Sequence, residues 1–145
     1  MPEVYAALWV IGDDLDPAAI ADGIGLVPRS AHRRGDPMPN GRTFREGSCW
    51  FTTGDRPRTT IEASLDDLFG DLDSGWPYLL QIRAATRLFV ECYVKVYGGE
   101  ADPFLGFEAR HVARAAELGG GMGVDYQDFR ASGLISSRPT PVHPH

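Results

Sequence analysis

Between Arg29 and Arg45 the chain concentrates Arg29, His32, Arg33, Arg34, Arg42 and Arg45, with Asp36 inside the stretch and Glu46 directly after it. A guanidinium is planar, always charged, and offers paired donors that match the geometry of a carboxylate or phosphate. Such a cluster suits a small anionic ligand or an acidic protein segment, and the nearby Trp50 would add a flat apolar surface. The competing reading is a solvated loop whose arginines pair with acidic neighbours while Asp36 caps a turn. Gly35-Asp36 has turn chemistry, so Asp36 is expected to shape backbone rather than to catalyse. Exposed pairs of that kind add little stability.

A second polar group lies further along. Glu91, Tyr93 and Lys95 alternate on one face of an expected strand, and Asp125 joins them if the last strand pairs there. Carboxylates, a phenol and an amine on one sheet face could do acid–base chemistry if burial shifted their pKa values. Ordinary cross-strand pairing explains the same residues without function. His111 shares a helix face with Phe107 and Ala115 and reads as a packing histidine. Cys49 and Cys92 fall within strands and read as small core residues. Neither they nor His32 and His111 have zinc-ligand spacing, and His143 and His145 are at most adventitious ligands, so no metal or cofactor is expected. Gly119–Gly123 follows a helix rather than opening one, the wrong polarity for cradling a phosphate. Trp50, Trp76 and Tyr78 are the large aromatics that either line a groove or fill the core.

The elements that must hold these residues follow from pattern. Val4–Ile11 is apolar on both faces, as a central strand would be. Asp16-Pro17 starts a helix that runs to Ile24 and stops at Gly25. Residues 28–47 lack any period, and a patternless stretch of that length in a compact domain indicates a functional loop or a hidden strand, for which Thr43–Arg45 is the candidate. A strand over Ser48–Thr53 follows. Thr59-x-x-Glu62 has the form of a capping box ahead of Ile61, Leu65, Leu68, Phe69 and Leu72 at helical spacing. Gly75-Trp76-Pro77 should break that helix, with a short one over Tyr78–Ala85. Leu88, Val90, Cys92, Val94 and Val96 alternate with polar and aromatic residues in a strand over Arg87–Tyr97. A helix over Glu108–Leu118 and a strand over Met122–Tyr126 complete the order β-α-β-α-(α)-β-α-β. These elements imply an α+β two-layer sandwich: a mostly antiparallel sheet of four to five strands with helices on one face. One domain is expected over residues 1–131, followed by a Pro-rich tail over 132–145.

Composition sets the outer bounds. A chain of 145 residues with 43% hydrophobic and 23% charged residues is an ordinary globular domain. A net charge of −6 argues against general nucleic-acid binding. The charge is uneven: residues 1–28 hold five acids and no Lys or Arg, residues 29–58 hold seven arginines against three acids, and residues 59–82 hold five acids again. No stretch approaches a membrane span, no signal segment is evident, and the two cysteines form no disulfide framework, so cytoplasmic residence is expected.

Several segments together resemble a bacterial family, domain of unknown function 4279. They are the first strand ending in Gly-Asp-Asp-Leu-Asp-Pro, then IADGIGLVPRSAHRRGD, GSCWFTT, YGGE and HVARAAELGGGMGVDYQDF, spanning roughly residues 4–129. The resemblance implies a small single-domain protein and carries no assigned activity or cofactor. On the residues themselves, the expectation is a non-catalytic binding module for an acidic or anionic partner through Arg29–Arg45. The alternative is a small enzyme or biosynthetic accessory protein using the Glu91, Tyr93, Lys95 and Asp125 face, and an exposed strand edge leaves homodimerisation open.

Overall fold

A computed structural model describes residues 1–131, and the expected tail over 132–145 lies outside them. The sheet grows outward from one strand. β1 (Glu3–Gly12) is apolar on both faces and lies between β3 (Gly47–Thr52) and β4 (Arg87–Val96), antiparallel to each. β2 (Ser30–His32) adds antiparallel to β3 at one edge, and β5 (Gly121–Asp128) adds parallel to β4 at the other. The order β2-β3-β1-β4-β5 is the expected α+β sheet, mixed but mostly antiparallel.

Strand alternation sends Val4, Ala6, Leu8 and Val10 of β1, and Leu88, Val90, Cys92, Val94 and Val96 of β4, to one side. There they meet α1 (Pro17–Ile24), α2 (Ile61–Leu72), α3 (Trp76–Ile82) and α4 (Ala109–Glu117) in a single core. The starts of α1, α2 and α3 have local causes. Asp16 accepts the Ala18 N–H at 3.1 Å ahead of Pro17, and Gly25 closes α1 with φ of 79°. α2 is capped one residue later than the capping-box spacing suggests: Thr60, rather than Thr59, accepts the Ala63 N–H at 3.1 Å. Trp76-Pro77 opens α3 instead of breaking the chain, because a 3₁₀ turn over Asp73–Gly75 lets Pro77 take a first-turn position that needs no N–H.

α4 is pinned to α2 by charge and ring contacts. His111, only 3% exposed, has Nε2 at 2.8 Å from Asp66 Oδ1 and stacks on Phe69, so it is more deeply buried than a half-exposed packing residue. Arg110 pairs with Glu62 and Asp66, while Arg114 pairs with Asp73 and lies 4.0 Å over the Trp76 ring.

Three differences from pattern have physical reasons. The strand hidden in 28–47 is Ser30–His32, too short to show a period, and Thr43 makes only an isolated bridge to Pro37. β5 runs from Gly121 to Asp128, longer than its apolar residues suggest, because pairing to β4 carries flanking glycines and polar residues with it. Gly120 crosses so close to β4 that an added Cβ would lie 1.8 Å from the Leu88 carbonyl oxygen.

Two glycine substitutions should therefore part company in urea denaturation. Gly70→Ala, in mid-helix with open space around an added Cβ, is expected to stabilise by about 0.5–1 kcal/mol. Gly120→Ala must displace the Leu88 backbone and is expected to cost at least about 2 kcal/mol; equal effects at the two positions would contradict this packing.

Candidate functional site

The sheet face away from the helices carries the odd-numbered residues of β1 and β4. Tyr5, Ala7, Trp50 and Tyr93 are buried there, and Trp9 packs against them. Their rings form a continuous row. Tyr5 and Tyr93 stack with centroids 4.8 Å apart, Trp50 meets Tyr93 edge-on at 5.8 Å, and Trp9 leans on Trp50 at 5.6 Å. Cross-strand register explains the row: Tyr5 opposes Tyr93 and Trp9 opposes Trp50. Trp50 is only 2% exposed and forms the row rather than the groove.

The arginine-rich segment folds over the β2–β3 end of this face. Its backbone is closed by Gly35 N–H to Phe44 O at 2.9 Å, Phe44 N–H to Asp36 O at 3.0 Å and Met38 N–H to Arg42 O at 2.7 Å, a two-armed hairpin. Gly35 and Gly41 supply φ values of 90° and 82° at its turns. Asp36 accepts the Arg33 N–H at 2.8 Å, the turn-shaping part expected of it. Phe44 returns onto β2, where its ring stacks on His32 with centroids 3.5 Å apart. Ser48 Oγ lies 3.3 Å from His32 Nδ1.

The arginines divide into groups. Arg33 pairs with Asp16 at 2.7 Å and Arg34 with Asp14 at 3.4 Å, fastening the root of the hairpin to the acidic start of α1. Arg29 stands at the entrance to β2, its N–H bonded to Trp50 O at 2.7 Å, and it does not line the clefts described below. Arg42 and Arg45 are exposed and form no ion pair among the described residues. They stand at a cleft of about 440 Å³ lined also by Trp9, His32, Phe44 and Ser48. A second lobe of about 590 Å³ shares those four residues and adds Ser30 and Asp36. Glu46, the acid in the first lobe, is held by Arg87.

The cleft thus combines an aromatic floor, two unneutralised guanidinium groups and a histidine. Burial lowers the His32 pKa, opposed by the Asp36 and Glu46 carboxylates, so its ring is neutral at pH 7. Trp9, Phe44 and Ser48 had no signal in sequence. Trp9 looked like a core residue, and Phe44 was an isolated aromatic among polar neighbours.

Glu91, Tyr93, Lys95 and Asp125 do share the helix-free face, and register sets Tyr93 beside Asp125. Lys95 is 7% exposed with Nζ 5.4 Å from the centre of the Tyr5 ring. Tyr93 Oη accepts the Trp9 indole N–H at 3.3 Å. Burial, then the hydrogen bond to Glu91, pushes the Tyr93 phenol upward, and burial with the Asp125 charge pushes Tyr5 up to about 12. Phenols moved away from neutrality are poorly matched to proton transfer near pH 7. Burial likewise raises the Cys49 thiol to about 11 and Cys92 to about 12, which leaves both inert. Among the described residues, no group of three or more His, Cys, Asp or Glu side chains could hold a metal ion, and no helix is long and apolar enough to cross a membrane.

Replacing Arg33 and Arg34 together by Ala should cost less than about 1 kcal/mol per pair, because both partners of each pair are exposed. Thermal unfolding checks this, and a collapse in melting temperature would show that the root of the hairpin holds the fold.

No curated protein and no solved structure shows significant similarity to the chain. A family profile described as Domain of unknown function (DUF4279) matches residues 2–129, nearly the whole described domain. The chain therefore belongs to the DUF4279 family.

Proposed function

We propose that this protein is a non-catalytic binding module that captures an anionic group carried on a flat apolar body. The observation that carries this reading is the contrast among the arginines. Arg33 and Arg34 are neutralised at the root of the hairpin, whereas Arg42 and Arg45 keep their charge beside the aromatic cleft. An anion entering there forms charge-assisted hydrogen bonds without first displacing a native partner. Trp9, Phe44 and the neutral His32 ring offer faces for stacking. A carboxylate, phosphate or sulfonate attached to an aromatic ring meets both demands. The same proposal sets the protein in a reducing compartment such as the cytoplasm, in keeping with two free, buried cysteines.

Naphthalene-2-sulfonate is a suitable probe, with naphthalene-2-methanol as its uncharged analogue and a poly-glutamate peptide as the ring-free anion. Isothermal titration calorimetry reads occupancy. The sulfonate is expected to bind at least about tenfold more tightly than the alcohol, in line with one or two charge-assisted bonds. Arg42→Ala with Arg45→Ala should remove that preference, while Arg33→Ala with Arg34→Ala should keep it. Tighter binding of poly-glutamate than of the sulfonate would favour an acidic protein segment over a small ring-bearing anion. No charge preference in the unmodified protein, or an unchanged one in the Arg42/Arg45 variant, defeats the reading.

His32 adds a pH signature with a defined sign. Its pKa is lowered below the usual value of 6.5, so acidification through that lowered value converts a neutral ring into a cation beside the bound anion. Affinity for the sulfonate, whose charge is constant over this range, should rise as pH falls, and His32→Gln should flatten the slope. Isothermal titration in a series of steps downward from pH 7.5 checks it, and an affinity that falls on acidification would rule it out.

A further inference from the structure

The two edges of the sheet are built differently. The β2 edge is three residues long and is followed directly by the hairpin. The β5 edge runs eight residues, contains no proline, lysine or arginine, and pairs with no strand on its outer side among the described residues. Its charged groups are Asp125 in mid-strand and, at its end, Asp128 with Arg130 folded back onto it and onto Tyr126, so most of the edge is open as a template for another strand.

The helix beside that edge is also left uncovered. Arg110 and Arg114 of α4 reach toward α2, where they pair with Glu62, Asp66 and Asp73. Val112 and Ala116 each follow one of these arginines by two positions, about 200° around the helix. They therefore face away from α2, toward the free edge of β5, where Val112 is 47% exposed and Ala116 is exposed too.

We infer that β5 pairs antiparallel with β5 of a second copy about a twofold axis at Val124, making one ten-stranded sheet with the two α4 helices side by side. The strand's own side chains select this occupant and this register. With Val124 against Val124 of the partner subunit, each Met122 meets a Tyr126 on the helix side of the sheet. On the other side, Asp125 meets Gly123, whose added Cβ would lie 2.9 Å from the Phe89 ring. The carboxylates are thus kept apart, and Asp128 falls beyond the pairing. An axis at Asp125 would set that carboxylate directly against its own copy, an unfavourable cross-strand pair. One rotation satisfies both the strand edge and the helix flank, as an isologous contact requires. Small side chains at Ala116 let the two helices approach to the usual 8–10 Å.

Light scattering after size exclusion of the full chain should give a mass of twice 15.9 kDa. Val112→Glu, on an exposed position, should give folded monomer by circular dichroism, and Ala116→Glu should do the same should the first variant unfold. Register is read by oxidation. Because Cys92 lies beside Val124 across β4 and β5, both variants are made in a Cys92→Ala background. Val124→Cys is expected to form a disulfide-linked dimer, whereas Tyr126→Cys, which lies opposite Met122 rather than itself, is not, and the buried Cys49 leaves the background low. A monomer at every concentration up to about 100 µM overturns the inference and leaves the edge to a different partner. Dimers that survive the helix variants, or cross-link through position 126 and not 124, overturn it equally.

Discussion

The burial of β1 on both faces is the constraint from which the rest of the architecture follows. Its even-numbered side chains meet the helices, and Tyr5 and Ala7 are buried on the opposite face. A strand buried on two sides has no water for its backbone groups, so both edges must be paired, and β3 and β4 pair them. Where β3 ends, the chain still serves β1: the Thr53 N–H donates to Ala6 O at 2.9 Å, and Thr53 Oγ1 accepts the Ala6 N–H at 3.0 Å. Beyond Thr53, Val4 and Arg58 exchange backbone hydrogen bonds at 2.7 and 2.8 Å. The polar backbone of β1 is thereby satisfied along its length without a longer β3.

The same strand links the core to the cleft. Trp9 belongs to β1, yet its ring lines both lobes beneath the arginine hairpin. Any substitution that rotates β1 to relax the core must also move the cleft floor, because side chains alternate rigidly between the two faces. The electrostatics are divided in a comparable way. Acidic residues before α1 neutralise the root of the hairpin, and Arg87 neutralises Glu46. What remains at the tip is a local positive charge on a chain whose net charge is −6. On the proposed reading, the acidic remainder would oppose general polyanion attraction, so the local charge would select a ligand only together with the rings of the cleft.

How much of this was legible in sequence depends on the range of the interactions concerned. Asp16-Pro17 and the alternation from Leu88 to Val96 encode their structures locally, and both gave the observed elements. β2 was not legible: three residues fix no period, and its pairing partner lies about twenty residues away in β3. The basic stretch was visible as composition, but its division was not. Arg33 and Arg42 look equivalent in sequence, and only the turn at Gly35 together with the position of α1 sends one to Asp16 and leaves the other at the cleft. Trp9 and Phe44 are thirty-five positions apart and line one cleft because the hairpin returns Phe44 onto His32 of β2, which no local pattern reports.

These two surfaces occupy opposite ends of one sheet, and that placement has a mechanical consequence. Nine strand spacings separate β2 from its twofold mate in a ten-stranded sheet, about 43 Å at the usual interval. Both clefts would open on the same helix-free side, since a twofold axis perpendicular to the sheet preserves its faces. A small ring-bearing anion would occupy each cleft independently, with no coupling expected across so many rigid strands. A partner displaying two anionic groups about 40 Å apart would instead gain from effective concentration, binding far more tightly than either group alone. The spacing of anionic groups on a candidate partner thus becomes a selection criterion in its own right. It depends on the sheet being continuous, and that continuity rests on an unprotected β5 edge at the end remote from the arginines.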